Sequence, residues 1–343
     1  MSKLLTIMVL WVLVGGLFAA PQSYLPLQVT QPEGSKLELF ASGDEYHNWL
    51  HDKDFYTIMQ DETGAYVYAE SFGNSIKAGS LRAGASSPAS RGLTPGLNLS
   101  KAEIAAKYER YKDTMRVYDN GRSPHSGTFN NLVVFIKFAD DPNFSQPITT
   151  YDNMFNNNSP GANSMINYFQ AASYQQLSIG SSFFPAPNGT TVVCYVDSHP
   201  RGYYRPLTAT NTIGYDPNND EDRMLREHTM LANCITAVAP GIPASLDVDG
   251  DDDGYVDNVC FIVQGSPDGW AELLWPHRWV LYGAEAYIQG AMVWDFNLQL
   301  ENSLSGSGAS VLSHEMFHSL GAPDLYRYDD NTITPIGGWD LMA

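Results

Sequence analysis

Short alternating runs of apolar and polar residues mark the first part of the chain after its N-terminus. They occur at residues 37–40 (Leu-Glu-Leu-Phe) and 65–69 (Ala-Tyr-Val-Tyr-Ala), and turn-forming residues separate them. Alternation with a period of two is typical of a half-buried strand. We therefore predict a small β-rich module over residues 21 to about 79. Residues 80–99 are rich in Gly, Ser, Pro and Ala without periodicity, which is the composition of a linker.

A helix is predicted directly after this linker. Ser100 and Glu103 form a capping box, in which each side chain can bond the backbone N–H of the other residue. The stretch 101–116 that follows is amphipathic. Asn-Gly at 120–121 and Ser-Pro at 123–124 then interrupt the chain, because dipeptides of this kind mark turns and loops.

The remainder of the chain mixes predicted strands and helices. Dense apolar runs at residues 132–138 and 259–263 predict buried central strands. Residues 164–172 and 221–238 predict helices, and the second of these is rich in Leu, Met and Ala. Such a mixture indicates an α+β or an α/β domain.

The N-terminus has the form of a secretory signal peptide. Lys3 supplies a positive end, residues 4–20 are apolar, and the small residues Ala19 and Ala20 suit a cleavage site. We predict removal of residues 1–20 and secretion of the remainder. A retained anchor is the alternative, but the segment is short for a spanning helix. The sequence has no other run of that kind, so no membrane insertion is expected after cleavage.

Charge and cysteine content narrow the class of protein further. The chain has 19 basic and 38 acidic residues, a net charge of −19, which repels nucleic acid and anionic membranes. Its three cysteines, Cys194, Cys234 and Cys260, allow either one disulfide with a spare thiol or three buried thiols. None lies in the first 190 residues, which excludes a latency switch based on a cysteine of a pro-segment.

The strongest chemical signal is His-Glu-Met-Phe-His at residues 314–318. On a helix, two residues four apart are turned by about 40° and raised by about 6 Å, so they project from one face. His314 and His318 can therefore bind one zinc ion, and Glu315 can reach a water molecule on the metal as its general base.

The residues after this motif supply a third ligand. Gly321 can end the helix in a left-handed turn, and Pro323 prevents the helix from resuming. The chain then reverses and can bring Asp324 beneath the metal. Two neutral imidazoles and one carboxylate leave an open position for water, which is the arrangement of a catalytic zinc site.

The pattern H-E-x-x-H-x-x-G-x-x-D, followed by Trp-Asp-Leu-Met-Ala at 339–343, resembles the M6 family of metallopeptidases, the immune-inhibitor-A group within the metzincin-like zincins. The resemblance implies an α+β zincin/metzincin-like catalytic domain, with Asp324 as third ligand and Met342 in the methionine turn below the zinc. Weaker similarities lie at four further segments, namely residues 43–45, 132–138, 172–177 (with Gln175 where the family has glycine) and 275–277. Family members continue beyond the methionine turn, so we expect a fragment or an incomplete active site.

The resemblance predicts a secreted zinc-dependent endopeptidase made as a zymogen, with a propeptide and linker at 21–125 and a catalytic domain at 126–343. Its partners would be protein or peptide substrates. Zinc would lower the pKa of its bound water, and Glu315 would take the proton and pass it to the leaving amine. His277 is a candidate for oxyanion stabilisation, although a lone histidine is more often structural. The alternative is a secreted zinc- and calcium-binding adhesion protein without turnover, which would not need Glu315.

A second metal signal is an aspartate-rich loop with the pattern D-x-D-x-D-G. Counted from its first aspartate, it supplies the early ligand positions of a calcium loop, with Gly254 at the sharp turn. Cys260 stands where such a loop has its bidentate Glu, and a solvated acidic turn or a calcium-dependent binding module are the alternatives. The candidate calcium ligands are Asp249, Asp251, Asp253, the carbonyl of Tyr255, and Asp257.

A turn in the N-terminal module offers a device for latency. Asp44 follows Gly43, so its carboxylate could be presented on a tip and occupy the open zinc position; His47 is the alternative plug. A plain hairpin, with blockage of the cleft by bulk or assistance in folding, is the simpler interpretation. Cleavage between about residues 116 and 125 would then release the mature enzyme.

Overall fold

The computed structural model of the chain is a mixed α+β fold with two main β-sheets and helices on both faces of the second. This confirms the α+β class. It describes residues 22–44, 46–118, 123–217, 219–266, 273–327, 335–337 and 339–343. The predicted signal peptide and the Asn-Gly break at 120–121 lie outside these residues.

An antiparallel sheet forms where the β-rich module was predicted. Its strands follow one another in chain order: β1 (Gln22–Thr30), β2 (Lys36–Gly43), β3 (Asn48–His51), β4 (Thr57–Gln60), β5 (Tyr66–Phe72) and β6 (Ser75–Arg82). The two alternating runs of the sequence fall on β2 and β5. Because β6 extends to Arg82, the predicted linker begins inside the sheet, and a short 3-10 turn at Ala89–Arg91 interrupts the rest of it.

The helix α1 (Lys101–Tyr118) begins at the predicted capping box. The backbone N–H of Ser100 donates to Glu103 Oε2 over 2.9 Å, and the backbone N–H of Glu103 donates to Ser100 Oγ over 3.3 Å. These reciprocal bonds satisfy two of the N–H groups that a helix start leaves without partners. The prediction of a helix at this position is therefore confirmed.

The second sheet carries the rest of the fold. Its strands are β7 (Gly127–Lys137), β8 (Leu177–Phe184), β9 (Tyr195–Val196), β10 (Asn258–Val263), β11 (His277–Val280) and β14 (Asp295–Leu300), while β12 (Tyr287–Ile288) and β13 (Ala291–Met292) form a separate pair. The spatial order is β11-β14-β10-β7-β8, with β9 beside β7. All neighbours pair in parallel except β11, which lies antiparallel to β14 at the edge.

Helices cover both faces of this central sheet. They are α2 (Ile148–Asn156), α3 (Met165–Ala172), α4 (Asp220–Val238), α5 (Glu301–Ser307) and α6 (Ala309–Ser319). The helix α4 shares one apolar core with alternate residues of β7 and β10, such as Val134 and Phe261. Helices α2, α3, α5 and α6 share a second core with Phe135 and Ile262 on the opposite face. Burial on both faces explains the continuous apolar runs that predicted β7 and β10.

One side chain joins the two sheets. Trp275, which lies two residues before β11, is 3% exposed and sits in the core of the N-terminal sheet with Leu39, Leu50 and Tyr66. The N-terminal sheet therefore packs directly beside the edge of the central sheet where β11 begins.

Two further sequence expectations can be compared with the described residues. No helix among them is long and apolar enough to cross a membrane. All three cysteines are unpaired, with Cys234 and Cys260 buried and Cys194 half-buried, so the alternative of three thiols is the one present.

Candidate metal centre

The helix α6 carries the two histidines that were predicted to bind a metal. Its residues Leu312 and Met316 pack into the core beneath the central sheet, which fixes the rotation of the helix about its axis. His314 and His318 project together from an adjacent face, one helical turn apart. Their Nε2 atoms lie 3.1 Å from each other.

The turn after α6 has the form that the sequence predicted. Gly321 adopts a φ of 85°, in the left-handed region that glycine enters without strain. Its N–H donates to the carbonyl of His318 over 2.8 Å, and the N–H of Ala322 donates to the carbonyl of Phe317 over 3.0 Å. These two bonds constitute a Schellman motif, which ends the helix and turns the chain back.

This reversal brings Asp324 to the two histidines. Asp324 Oδ1 lies 3.1 Å from His314 Nε2 and 3.3 Å from His318 Nε2. In a tetrahedral zinc site with bonds of roughly 2.0–2.1 Å, neighbouring ligand atoms are about 3.3 Å apart. The three predicted ligands thus converge at a spacing that fits one metal ion.

Backbone carbonyls set the protonation of both imidazoles. His314 Nδ1 lies 2.9 Å from the carbonyl oxygen of Leu341, and His318 Nδ1 lies 2.8 Å from that of Ala322. Because a carbonyl can only accept, each Nδ1 carries a proton, and in the neutral ring each Nε2 then presents a lone pair. Second partners of this kind are what orients histidine ligands in metal sites. The convergent lone pairs repel one another unless a cation lies between them.

The pKa values of His318 and Asp324 also reflect the need for a positive charge among the converging atoms. Burial alone would lower the pKa of His318, but the Asp324 carboxylate outweighs burial and raises that pKa to about 9. Burial would raise the pKa of Asp324, whereas His314 and His318, when a proton lies on Nε2, hold that pKa well below its usual range. In the metal-free chain a proton thus provides the positive charge that a metal ion would replace.

Glu315 lies beside the two histidines and is 1% exposed. Its Oε2 is buried and has no hydrogen-bond partner among the residues that the structure describes. Burial raises the pKa of Glu315, and His314 and His318 oppose that rise. A buried carboxylate oxygen without a partner, next to a metal-ligand array, is placed to accept a proton from a molecule bound there.

The segment around Met342 closes the site from the other side. Leu341 supplies the carbonyl that holds His314, and the N–H of Leu325 donates to the carbonyl of Met342 over 2.7 Å. Met342 itself is 3% exposed. The predicted methionine turn therefore lies against both the metal helix and the strand of chain that carries Asp324.

His277 is placed differently from the oxyanion role considered for it. Its Nδ1 lies 2.8 Å from the carbonyl oxygen of Trp275, and its Nε2 lies 3.1 Å from Glu227 Oε1 in a buried ion pair. Burial would lower the pKa of His277, but Glu227 outweighs burial and raises it. The carbonyl of Trp275 and the ion pair with Glu227 thus hold the ring of His277, as a structural histidine would be held. Sequence reasoning missed Glu227, whose signal was a charged residue on the apolar side of α4.

The tip of the N-terminal module reaches the metal centre. Tyr46 donates its phenolic O–H to Asp324 Oδ2 over 3.4 Å. Asp44 is 7% exposed, and burial together with the nearby Asp324 carboxylate raises its pKa to about 7. His47 instead lies 2.8 Å from Asn98 Oδ1 through its Nε2 and stacks on Trp49. The carboxylate of Asp44 is thus close enough to Asp324 for their charges to interact, while its Oδ1 accepts hydrogen bonds from the backbone N–H groups of Tyr46 and His47.

A second group of acidic side chains forms in the aspartate-rich loop. Carboxylate oxygens of Asp249, Asp251 and Asp257 lie within 4.8 Å of one another. Asp257 is 1% exposed, and its Oδ2 has no hydrogen-bond partner within the described ranges. Burial, with the neighbouring carboxylates, raises the pKa of Asp257 to about 7. The group could therefore hold a cation.

Two further residues of this loop, Asp253 and Gly254, shape its turn. Asp253 Oδ1 accepts a hydrogen bond of 2.8 Å from the backbone N–H of Tyr255, so the side chain of Asp253 is directed to its own turn. Gly254 adopts a φ of 87°, as the predicted sharp turn requires.

No protein-family model and no curated protein sequence matches this chain.

Substitution of Asp324 tests the metal centre. We expect Asp324→Ala to weaken divalent metal binding by more than about 100-fold, because it removes a direct ligand and not only an outer partner. The parent chain should bind one ion per molecule at this site, measured by chelator competition. Asp152→Ala, an exposed aspartate on α2, is the control. Equal affinity in Asp324→Ala and the parent would remove Asp324 from the ligand set.

The acidic loop makes a separate prediction. Saturation of a site at 100 times its Kd stabilises a fold by about 2.7 kcal/mol, so calcium added to the zinc-loaded parent should raise its melting temperature. Asp257→Asn keeps the shape of the side chain but should abolish this response. Asp252→Asn is the matched control, because Asp252 lies in the same loop at a φ of 58° that asparagine tolerates, outside the carboxylate group. A full response in Asp257→Asn would refute the site.

Proposed function

We propose that the protein is a zinc-dependent endopeptidase, secreted as a zymogen. The observation that carries this proposal is the convergence of His314, His318 and Asp324 with Glu315 beside them. Two imidazoles and one carboxylate are the ligand set of catalytic zinc, which keeps a position open for water, whereas structural zinc sites are closed by four protein ligands.

The position of the metal helix supports a zincin-like arrangement. The helix α6 packs against β11 at the edge of the central sheet, and in the described part of the chain β11 pairs only with β14. An extended peptide could add to the outer edge of β11 through main-chain hydrogen bonds, which need no particular side chains. That position would lay a scissile bond along the metal helix, as an endopeptidase requires.

The chemistry of the proposed reaction divides between metal and protein. A bound zinc ion would supply Lewis acidity and a water molecule of lowered pKa. Glu315 would accept the proton of the attacking water at Oε2, its buried oxygen without a partner, and deliver it to the leaving amine. The carbonyls of Leu341 and Ala322 would hold the Nδ1 protons of both histidines, which keeps their Nε2 atoms directed to the metal.

The acidic loop supports a second, structural cation. Oxygen donors alone, as in the group of Asp249, Asp251 and Asp257, favour calcium over zinc, because calcium is a hard cation that prefers carboxylate and carbonyl ligands. The alternative function, a metal-binding adhesion protein without turnover, would account for both ion sites. It gives no role to the buried carboxylate of Glu315, which therefore favours the enzyme.

The N-terminal module would hold the precursor inactive. Asp44 is buried beside Asp324, and Tyr46 contacts the same ligand. The carboxylate of Asp44 would compete with water for the open position on the metal. Trp275, enclosed by the core of the N-terminal sheet, would anchor the module beside β11 and cover the edge that a substrate needs.

Loss of the general base is the direct test of catalysis. Glu315→Gln keeps the shape of the side chain but cannot accept the proton, so hydrolysis of a quenched fluorescent casein should fall by at least about 100-fold. Metal content, measured on the same preparations after release of the N-terminal module, should not change. Near-normal hydrolysis by Glu315→Gln would exclude the proposed mechanism.

Latency can be tested on the unprocessed chain. Asp44→Ala should hydrolyse the same casein measurably before any cleavage, because the competing carboxylate is gone. His47→Ala is the matched control and should remain as silent as the parent, since His47 is directed to Asn98. Mass spectrometry would verify that each chain is intact during the assay. If Asp44→Ala is also silent, the module blocks the site by other contacts.

A further inference from the structure

The strand β14 has an unusual distribution of polar residues. Its sequence, Asp-Phe-Asn-Leu-Gln-Leu, alternates as if one face were solvated, yet all six residues are buried. The apolar residues Phe296, Leu298 and Leu300 belong to the core beneath α4. Asp295 and Asn297 point to the opposite face, where both contact Ser319 at the end of α6. Polar groups therefore line the contact between this strand and the metal helix.

Two residues of β14 form a connected network with one residue of β11 and one of α6. We name it the polar bridge, and its members are Arg278, Asp295, Asn297 and Ser319. Ser319 donates its hydroxyl to Asp295 Oδ1 over 2.8 Å and accepts a bond of 2.9 Å from Asn297 Nδ2. Arg278 donates hydrogen bonds to the same carboxylate from two nitrogens, Nε and Nη2. Its Nε lies 2.9 Å from Oδ1. The bridge thus runs from the edge strand β11 across β14 to the last residue of α6.

Stability alone is a weak reason for this arrangement. Removal of two charges from water costs several kcal/mol per ion, and well-packed apolar residues in place of a buried ion pair are often equally stable. Polar bonds, unlike apolar contacts, fix distance and direction. The bridge is therefore better suited to placing the end of α6 than to strengthening the core.

The end of α6 is where placement matters. Ser319 directly follows His318, and the hydroxyl of Ser319 is held on both its donor and its acceptor side. His318 Nε2 must remain near 3.1–3.3 Å from two other ligand atoms. At the other end of the bridge, Arg278 belongs to β11, which packs against α6. A shift of β11 relative to the helix would strain the bonds between them.

We propose that the polar bridge is a positioning device, which sets the place of His318 in the metal centre and keeps the edge strand in register with it. The side chains of Arg278, Asp295, Asn297 and Ser319 act through His318 and are not ligands of the metal. The inference rests on the proposed metal site, but it does not require that the protein be a peptidase.

The test compares two buried serines in the full-length chain. Ser319→Ala removes the hydroxyl of the bridge. Ser303→Ala is the matched control, because Ser303 is fully buried on α5 and its Oγ has no hydrogen-bond partner within the described residues. We measure zinc affinity by chelator competition, the visible absorption of the Co²⁺-substituted protein, which reports ligand geometry, and the melting temperature of the metal-free protein.

Ser319→Ala should bind zinc about tenfold more weakly, at the lower end of the loss that follows removal of an outer partner of a metal site. Its Co²⁺ bands should shift, while Ser303→Ala should match the parent in both. Parent-like affinity and bands in Ser319→Ala, or equal losses in both variants, would overturn the inference alone. Failure of the parent to bind zinc would overturn the proposed function with it.

A second variant covers the case in which Ser319→Ala does not fold. Arg278→Lys keeps the positive charge beside Asp295 but loses the two-pronged grip. A smaller shift of the Co²⁺ bands, in a chain with a parent-like melting temperature, would support positioning. Unchanged bands together with unchanged zinc affinity in Arg278→Lys would overturn it.

Discussion

Three atoms that each present a lone pair, His314 Nε2, His318 Nε2 and Asp324 Oδ1, lie within 3.3 Å of one another, and the surrounding structure depends on that constraint. Such a cluster needs a positive charge, which either a proton on His318 or a bound metal ion can supply. Carbonyl oxygens hold the Nδ1 protons of both imidazoles, so the lone pairs cannot turn away. The Schellman turn at Gly321 returns the carboxylate to the helix it has just left. Local hydrogen bonds thus hold the three lone pairs close together, and a positive charge between them relieves their repulsion.

The central sheet turns this local arrangement into an oriented site. The helix α6 is tied to the sheet by apolar contacts in its middle and by polar contacts at its end, where His318 and Ser319 lie. The edge strand β11 packs against α6, and the N-terminal sheet lies at that edge through Trp275. Under the proposed function, a substrate would therefore approach the metal centre from the side of the molecule that the N-terminal sheet covers.

Much of the fold could be predicted where neighbouring residues determine the structure. Continuous apolar runs predicted β7 and β10, and a capping box predicted α1. The residues after the His-Glu-x-x-His motif predicted the turn after α6. The strands β11 and β14 could not be recognised in this way, because the polar residues of β14 are buried by contacts with Ser319 and Arg278, which are distant in sequence. Likewise, the sequence suggested Asp44 as a partner of the metal with His47 as the alternative, and neighbouring residues alone could not choose between them.

The indole of Trp275 completes the interior of a sheet whose own strands end at Arg82. During synthesis the N-terminal sheet emerges long before this residue, so its core remains open until the edge of the central sheet has followed. Contacts of such long sequence separation slow folding, since a large loop must close before they form. The interior of the N-terminal sheet is consequently complete only after residue 275 has been made, so the two sheets are linked in time as well as in space.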